Sequence, residues 1–226
     1  MKKIGMIAAM LVESEKVVDW LGNPIKTDLY GSFLVKSFIK NDCEIYLINS
    51  GVGEILASSA TQLLISLYKV DLIINFGLCG SLVDFDLSEM CILEGVVHYD
   101  FDLSSLDPVK RGRYERFPSC VIKTDEKLVE ICSKINPSIK KVICASGDKF
   151  IADENVKKDL NAEFGAHVCE MESAGILITS LHNGVPALFI KVVSDTKDHA
   201  EEFSTFVERN NFEFVSILDK LTNELA

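Results

Sequence analysis

Three separate apolar runs end in carboxylates. Glu13 and Glu15 follow Ile4 to Met10, Glu170 and Glu172 flank Met171 at the end of a run from His167, and Asp195 follows Ser194 at the end of a run from Ala187. Carboxylates suit general acid and general base work, because burial and neighbouring charges move two chemically identical groups to different protonation states. Taken one at a time they have plainer explanations. Glu13 and Glu172 would also favour helix N-termini electrostatically, and Asp195 would serve as a turn residue. Two glycine pairs accompany them, Ser50-Gly51-Val52-Gly53 and Phe76-Gly77-Leu78-Cys79-Gly80. Glycine lets the backbone approach a ligand, although taken alone each pair reads as an ordinary tight turn. Neither is a phosphate fingerprint: the third glycine of G-x-G-x-x-G is missing and no G-K-[ST] occurs, which disfavours a dinucleotide or ATP site. The segment Ala145-Ser146-Gly147-Asp148-Lys149-Phe150-Ile151 adds an aromatic beside a flexible turn. A planar base held between Phe150 and Met171 would account for an aromatic and a thioether among acidic groups.

The elements that must position these groups alternate between short Ile/Val/Leu-rich runs and longer amphipathic stretches, the pattern of strands covered on both faces by crossover helices. Strands are expected over Ile4 to Met10, Glu44 to Ser50, Asp71 to Phe76, Lys141 to Ser146, His167 to Met171 and Ala187 to Ser194. Helices are expected over Glu13 to Leu21, Glu54 to Leu67, Asp125 to Ser133, Asp153 to Asn161, Glu172 to Asn183 and, closing the chain, about Ala200 to Leu225. Leu29 to Lys40, Met90 to Asp100 and Ser119 to Lys123 break the rhythm and read as antiparallel or mixed additions. The fold class is therefore α/β: a single domain over residues 1–226, with a mixed, mostly parallel central sheet that is partly barrel-like and flanked by helices. In such sheets ligands bind beyond the carboxyl ends of the strands, where the acidic groups stand. Asp102 to Pro118 is polar and basic without periodicity, and a loop of that length is usually functional or an interface.

Composition narrows the partners. Lys plus Arg total 23 against 34 for Asp plus Glu, a net charge of −11. No basic cluster is long enough to follow a phosphate backbone, so nucleic acid is not an expected partner. Nine uncharged residues between Lys3 and Glu13 are too few to span a membrane, and acidic residues arrive where a cleavage site would be needed; the expected location is the cytoplasm, with no membrane partner. The seven cysteines form no C-x-x-C and lie mostly in apolar runs, as reduced buried thiols do. Neither a metal nor a cofactor is expected.

The order of these pieces resembles the nucleoside phosphorylase and nucleosidase superfamily, and within it the methylthioadenosine/S-adenosylhomocysteine nucleosidases, over nearly the whole chain. I-G-x-I-x-A-M is matched at Ile4 to Met10, S-G-[IV]-G at Ser50 to Gly53, I-I-N-x-G-x-x-G at Ile73 to Gly80, and a His/Asp strand end at His98-Tyr99-Asp100. A-S-G-D-x-F-I is matched at Ala145 to Ile151, E-M-E at Glu170 to Glu172 and S-D at Ser194-Asp195. The resemblance implies that Glu13 is the general base, Asp195 the acid that protonates the purine, and Glu172 the carboxylate that holds the ribose hydroxyls. It places Met171 beneath sugar and base, the Phe150 ring against the purine and the Ile151 backbone at the purine edge, Phe203 in the 5′ pocket, and Gly77 and Leu78 beside the substrate. It implies a purine nucleoside as the small-molecule partner and a homodimer as the assembly. The chemistry agrees, since cleaving an N-glycosidic bond builds positive charge on the sugar and negative charge on the purine.

Two departures bear on the reaction. Leu78 stands where relatives commonly carry Ser or Thr, and Lys191 where they commonly carry Arg, a point charge in place of a planar fork. Asn75 occupies the position of a phosphate-gripping Arg in phosphorylases, and their P-G-D-P-x-R opening is missing. Hydrolysis of 5′-methylthioadenosine or S-adenosylhomocysteine, with release of adenine, is the expected activity. The alternatives are a related hydrolase acting on futalosine or adenosine, a purine nucleoside phosphorylase, and a nucleoside-binding or sensor protein with weak turnover.

Overall fold

The computed structural model describes residues 1–106, 109–196, 202–209 and 214–226. In chain order the elements are β1 (Lys2–Ala8), α1 (Leu11–Leu21), β2 (Lys26–Tyr30), β3 (Phe33–Lys40), β4 (Cys43–Asn49), α2 (Glu54–Leu63) with a π-helical turn over Leu64–Tyr68, β5 (Leu72–Ser81) and β6 (Met90–His98). There follow β7 (Ile122–Lys123), α3 (Glu126–Ile135), β8 (Lys140–Ser146), α4 (Glu154–Phe164), β9 (Val168–Glu170), α5 (Ser173–His182), β10 (Ala187–Asp195), α6 (Glu202–Arg209) and α7 (Val215–Leu225).

These strands join in one mixed sheet. Its centre is the parallel ladder β4, β1, β5, β10, extended on one side by the antiparallel β3 and β2. On the other side β10 pairs with β6, β6 with β8, β8 with β9, and β9 returns to β5. Five strands thus close on themselves, and the expected barrel-like curl is present. Strand β5 is the hub. All ten of its residues are buried, as a run with helices on both sides requires. Helices α1 and α7 cover one side of the sheet and α2 and α5 the other. Ile4, Ile74, Phe76 and Leu218 belong to one core cluster, and Ile7, Ile73, Phe189 and Leu177 to another.

Four expectations change. The expected closing helix appears as two, α6 and α7, with Phe214 the N-cap of α7, and residues 200, 201 and 210–213 of the expected span lie outside the described residues. The helix from Glu54 turns π-helical at Leu64 and ends at a left-handed Lys69. Helix α1 starts at Leu11, so Glu13 sits inside its first turn instead of opening it. Finally, Gly77 and Gly80 are not turn residues but lie within β5, which runs on to Ser81. Their lack of a side chain serves packing, not chain reversal. Six of the seven cysteines are buried, and all seven are free thiols.

Candidate active site

A cavity of about 370 Å³ opens where β1, β9 and β10 end against the second half of β5. Glu13, Leu78, Phe150, Met171, Glu172, Asp195 and Phe203 all line it, so the sheet brings together residues that are far apart in the chain. Gly77 and Ile151 do not line it. The Ile151 side chain packs in a core cluster with Leu82, Val97 and Leu160, which leaves its backbone as the part assigned to the purine edge. Gly77 lies under Glu13: a Cβ there would fall 2.7 Å from Glu13 Oε1.

Each carboxylate is held differently. Glu13 is buried, and the first turn of α1 aims it back at the strands. The Met10 N–H donates to Oε2 at 2.8 Å and the Leu78 N–H to Oε1 at 2.8 Å. The plain helix-terminus explanation is thus half right, since Glu13 satisfies its own helix with one oxygen while the other spans to β5. Burial raises its pKa above the ordinary carboxylate range, against the pull of these N–H groups and the Lys191 charge. Glu172 precedes α5, and its Oε1 accepts from the Gly53 N–H at 2.9 Å. Gly53 has φ +104°, a conformation costly for any side chain, which turns that N–H toward Glu172. Burial, then the neighbouring charge of Glu170, lifts Glu172 to about 7.

The α5 N-terminus is satisfied not by Glu172 but by Glu170. Its Oε2 accepts from the Ser173 N–H at 3.0 Å, from Ser173 Oγ at 2.9 Å and from Lys191 Nζ at 2.9 Å. Burial works against ionisation of Glu170, yet the Lys191 charge and these donors hold it below the usual carboxylate range. Burial also works against Lys191, and the charges of Glu170 and then Glu172 more than reverse that, keeping it an ammonium. Glu170 appears in the E-M-E motif, but nothing in its residue type separates it from Glu172; only the backbone turn at Met171 does so.

Asp195 closes β10. It is buried, accepts from Lys157 Nζ at 2.9 Å through Oδ2 and from Ser194 Oγ at 3.0 Å through Oδ1. Its partner Lys157, on α4, was missed from sequence. The signal was there: Lys157 falls in register with Leu160 and Phe164 on the buried side of α4, where an ammonium is costly unless paired. Gly80 faces Asp195 as Gly77 faces Glu13, and a Cβ would stand 2.8 Å from Oδ2. Gly80→Ala therefore has to displace a carboxylate already gripped at both oxygens. A loss of turnover of roughly 10²-fold is expected from such a displacement, with the circular dichroism of the fold retained; unchanged turnover would show that the glycine is incidental.

The apolar wall is made by Leu78, Met171, Phe150 and Phe203. Phe150 is 48% exposed, and its ring stands 5.4 Å from that of Phe203, nearly edge-on. Cys169 also lines the wall; burial pushes its thiol up to about 12, so it contributes surface and not a nucleophile. The unassigned loop is tied to the segment that carries Phe150. Its Tyr114 ring stacks at 3.9 Å on Phe101 just before the loop, the Tyr114 hydroxyl meets His98 Nδ1 at 2.7 Å, and His98 Nε2 lies 2.8 Å from Asp100. Asp100 in turn accepts from the Asp148 N–H at 2.9 Å. Residues 107 and 108 of this loop lie outside the described residues.

A fifth buried carboxylate, Glu54, was also missed. It accepts from the Ser146 hydroxyl and the Gly175 N–H, and burial followed by the Glu170 charge raises it to about 8. Glu54 and Glu172 together bind more protons in the folded than in the unfolded chain. Their contribution is complete below the ordinary carboxylate range and is lost as pH rises through about 7 to 8. Glu54→Gln keeps a carbonyl acceptor for the Gly175 N–H and turns its amide to donate to Ser146 Oγ, reversing that hydrogen bond and removing the titration. Its melting temperature should fall less steeply than that of the wild type between about pH 6 and about pH 9; identical slopes would contradict the assignment.

Comparison with known proteins agrees with this geometry. The phosphorylase superfamily matches residues 3–223. The 5′-methylthioadenosine/S-adenosylhomocysteine nucleosidase of Buchnera aphidicola subsp. Acyrthosiphon pisum (strain APS) is 32% identical over 222 residues, 95% of this chain and 92% of that protein. The aminodeoxyfutalosine nucleosidase of Helicobacter pylori (strain J99) is 26% identical over 232 residues, covering both chains entirely. The crystal structure of 5′-methylthioadenosine/S-adenosylhomocysteine nucleosidase from Helicobacter pylori with butyl-thio-DADMe-Immucillin-A superposes with a TM-score of 0.92 at 26% identity, covering 99% of each chain. With nearly every residue matched and the motif residues gathered around one cavity, the chain belongs to the phosphorylase superfamily.

Proposed function

We propose that this protein hydrolyses the N-glycosidic bond of a purine nucleoside, with 5′-methylthioadenosine and S-adenosylhomocysteine as substrates and adenine as the released base. The observation that carries the reading is the convergence of Glu13, Glu172 and Asp195, from three elements, on one cavity walled by Phe150 and Met171. In this reading Glu13 takes a proton from water as the oxygen attacks the anomeric carbon. The carbon–nitrogen bond breaks, its electron pair leaves with the purine, and Asp195 donates a proton to the purine ring nitrogen. Glu172 accepts from the ribose hydroxyls and favours the positive charge that builds on the sugar. Phe150 and Met171 hold the base, and Phe203 borders the 5′ substituent.

Water, not phosphate, is the nucleophile in this proposal. Asn75 is buried and donates to the Ile7 carbonyl on β1 at 3.1 Å, and it does not line the cavity. Lys191, the cation the sequence offers to phosphate, is already taken by Glu170. Leu78 offers no hydroxyl. The relationship to the aminodeoxyfutalosine nucleosidase keeps a second nucleoside in view, and a panel of 5′-methylthioadenosine, S-adenosylhomocysteine, adenosine and aminodeoxyfutalosine decides between them by released base. Turnover of the first two supports the proposal. Turnover of the last alone moves the substrate, and binding without turnover would leave a nucleoside sensor.

The assembly we propose is a homodimer working in the cytoplasm. Next to the cavity, and sharing Ala9 with it, lies an apolar groove lined by Leu11, Phe33, Leu34 and Leu56. Leu11 is 71% and neighbouring Ile55 75% exposed, more apolar surface than a solvated helix face normally carries. Sedimentation equilibrium should give twice the chain mass; a monomer would reject the dimer.

A further inference from the structure

We infer that Lys157 is a positioning residue for the acid: its ammonium holds Asp195 Oδ2 and takes up the negative charge that Asp195 acquires when its proton leaves for the purine. The inference rests on the proposed role of Asp195. Lys157 is 1% exposed, although it sits on a helix whose neighbouring Glu154, Lys158 and Asp159 all face solvent. An ammonium taken out of water is tolerated only with a counter-charge and filled donor sites. Lys157 has both, with Asp195 Oδ2 at 2.9 Å and the Thr196 carbonyl at 2.7 Å.

The helix that presents it is firmly built. Asp153 accepts from the N–H groups of Asn155 and Val156 at its start, and a left-handed Gly165 ends it. This helix begins three residues after Ile151, so one continuous segment supplies both the aromatic against the base and the counter-ion of the acid. The groups facing Asp195 from the other described elements do not offer the same service. Cys79 on β5 and Cys169 on β9 are neutral thiols, and Glu170 is engaged with Lys191. Among the described residues, Lys157 is the cation paired with the carboxylate.

The charge balance explains why an ammonium belongs there. Before the step Asp195 is a carboxylic acid and the purine a neutral leaving group. As the carbon–nitrogen bond breaks, the electron pair moves to the purine, the Asp195 proton follows it, and a carboxylate remains beside Lys157. The ion pair of the substrate-free site is given up when Asp195 takes on its proton from water and is restored in the transition state as that proton leaves for the purine, so it favours that state over the protonated complex and raises turnover more than affinity. The same pair fixes the carboxyl from behind while Ser194 holds its other oxygen.

The test is a double-mutant cycle on adenine release from 5′-methylthioadenosine, with Lys157→Met, Asp195→Asn and the two combined. Lys157→Met should lower kcat by roughly ten- to a hundredfold and change KM by no more than about threefold. In the Asp195→Asn background the same substitution should change kcat by less than about twofold, because Lys157 acts only through the acid. If Lys157→Met does not fold with its carboxyl unpaired, the comparison of Asp195→Asn with the double variant decides, since both lack that charge: equal kcat supports the inference and a further drop overturns it. Wild-type kcat in Lys157→Met, or equal losses in both backgrounds, also overturns it. Should Asp195→Asn itself retain wild-type kcat, the role of Asp195 fails first and this inference with it.

Discussion

Asp195→Asn should lower turnover by roughly 10²- to 10⁴-fold, the usual consequence of losing a general acid, while a nucleoside analogue should still bind. The asparagine carbonyl can accept from Lys157 as Oδ2 does now, and its amide can meet Ser194, so the geometry of the site survives. What does not survive is charge balance. Removing one member of a buried pair costs about 3–5 kcal/mol, and both members are buried here. Melting curves must therefore accompany the kinetics, and a folded variant with near wild-type turnover would remove Asp195 from the mechanism.

Glu13→Gln is expected to cost a similar roughly 10²- to 10⁴-fold in turnover, for the opposite reason: the base that accepts the proton of water is gone. Glutamine retains a carbonyl oxygen but offers N–H groups at its other atom, so it cannot accept from both Met10 and Leu78 as Glu13 does. The loss should fall on kcat, because Glu13 meets water and not the sugar. Glu172→Gln should instead weaken binding of a non-hydrolysable analogue as well, its carboxylate being the one assigned to the ribose hydroxyls. Titration calorimetry separates the two variants, and equal affinity losses would contradict the division of labour. Since burial raises Glu13, the acid limb of kcat/KM should lie above the ordinary carboxylate range, activity growing as Glu13 ionises.

The carboxylates were legible in sequence because each ends an apolar run, and a parallel sheet has few places to put such a group other than its ligand-binding edge. The strands around them were legible for the same reason. Less visible were groups whose meaning depends on a partner distant in the chain. Lys157 looks like one of many surface lysines until α4 is seen against β10, and Glu54 looks like an ordinary first-turn acid until α5 closes on it. That approach depends on Gly175, where a Cβ would come within 2.7 Å of Glu54 Oε2. Gly77 and Gly80 were misjudged as turns because glycine in a short apolar stretch signals reversal as readily as close approach. Only the carboxylates standing over them show which applies. The split of the last helix had no clear sequence marker, since amphipathic spacing continues through both halves.

Whether water or phosphate attacks the anomeric carbon is tested most directly by the products formed from 5′-methylthioadenosine with and without inorganic phosphate. With Asn75 turned to β1, Leu78 lacking a hydroxyl and Lys191 held by Glu170, the expected products are adenine and free 5-methylthioribose, formed at a rate that phosphate leaves unchanged. A ribose 1-phosphate product, or a rate that rises with phosphate, would contradict the hydrolase assignment.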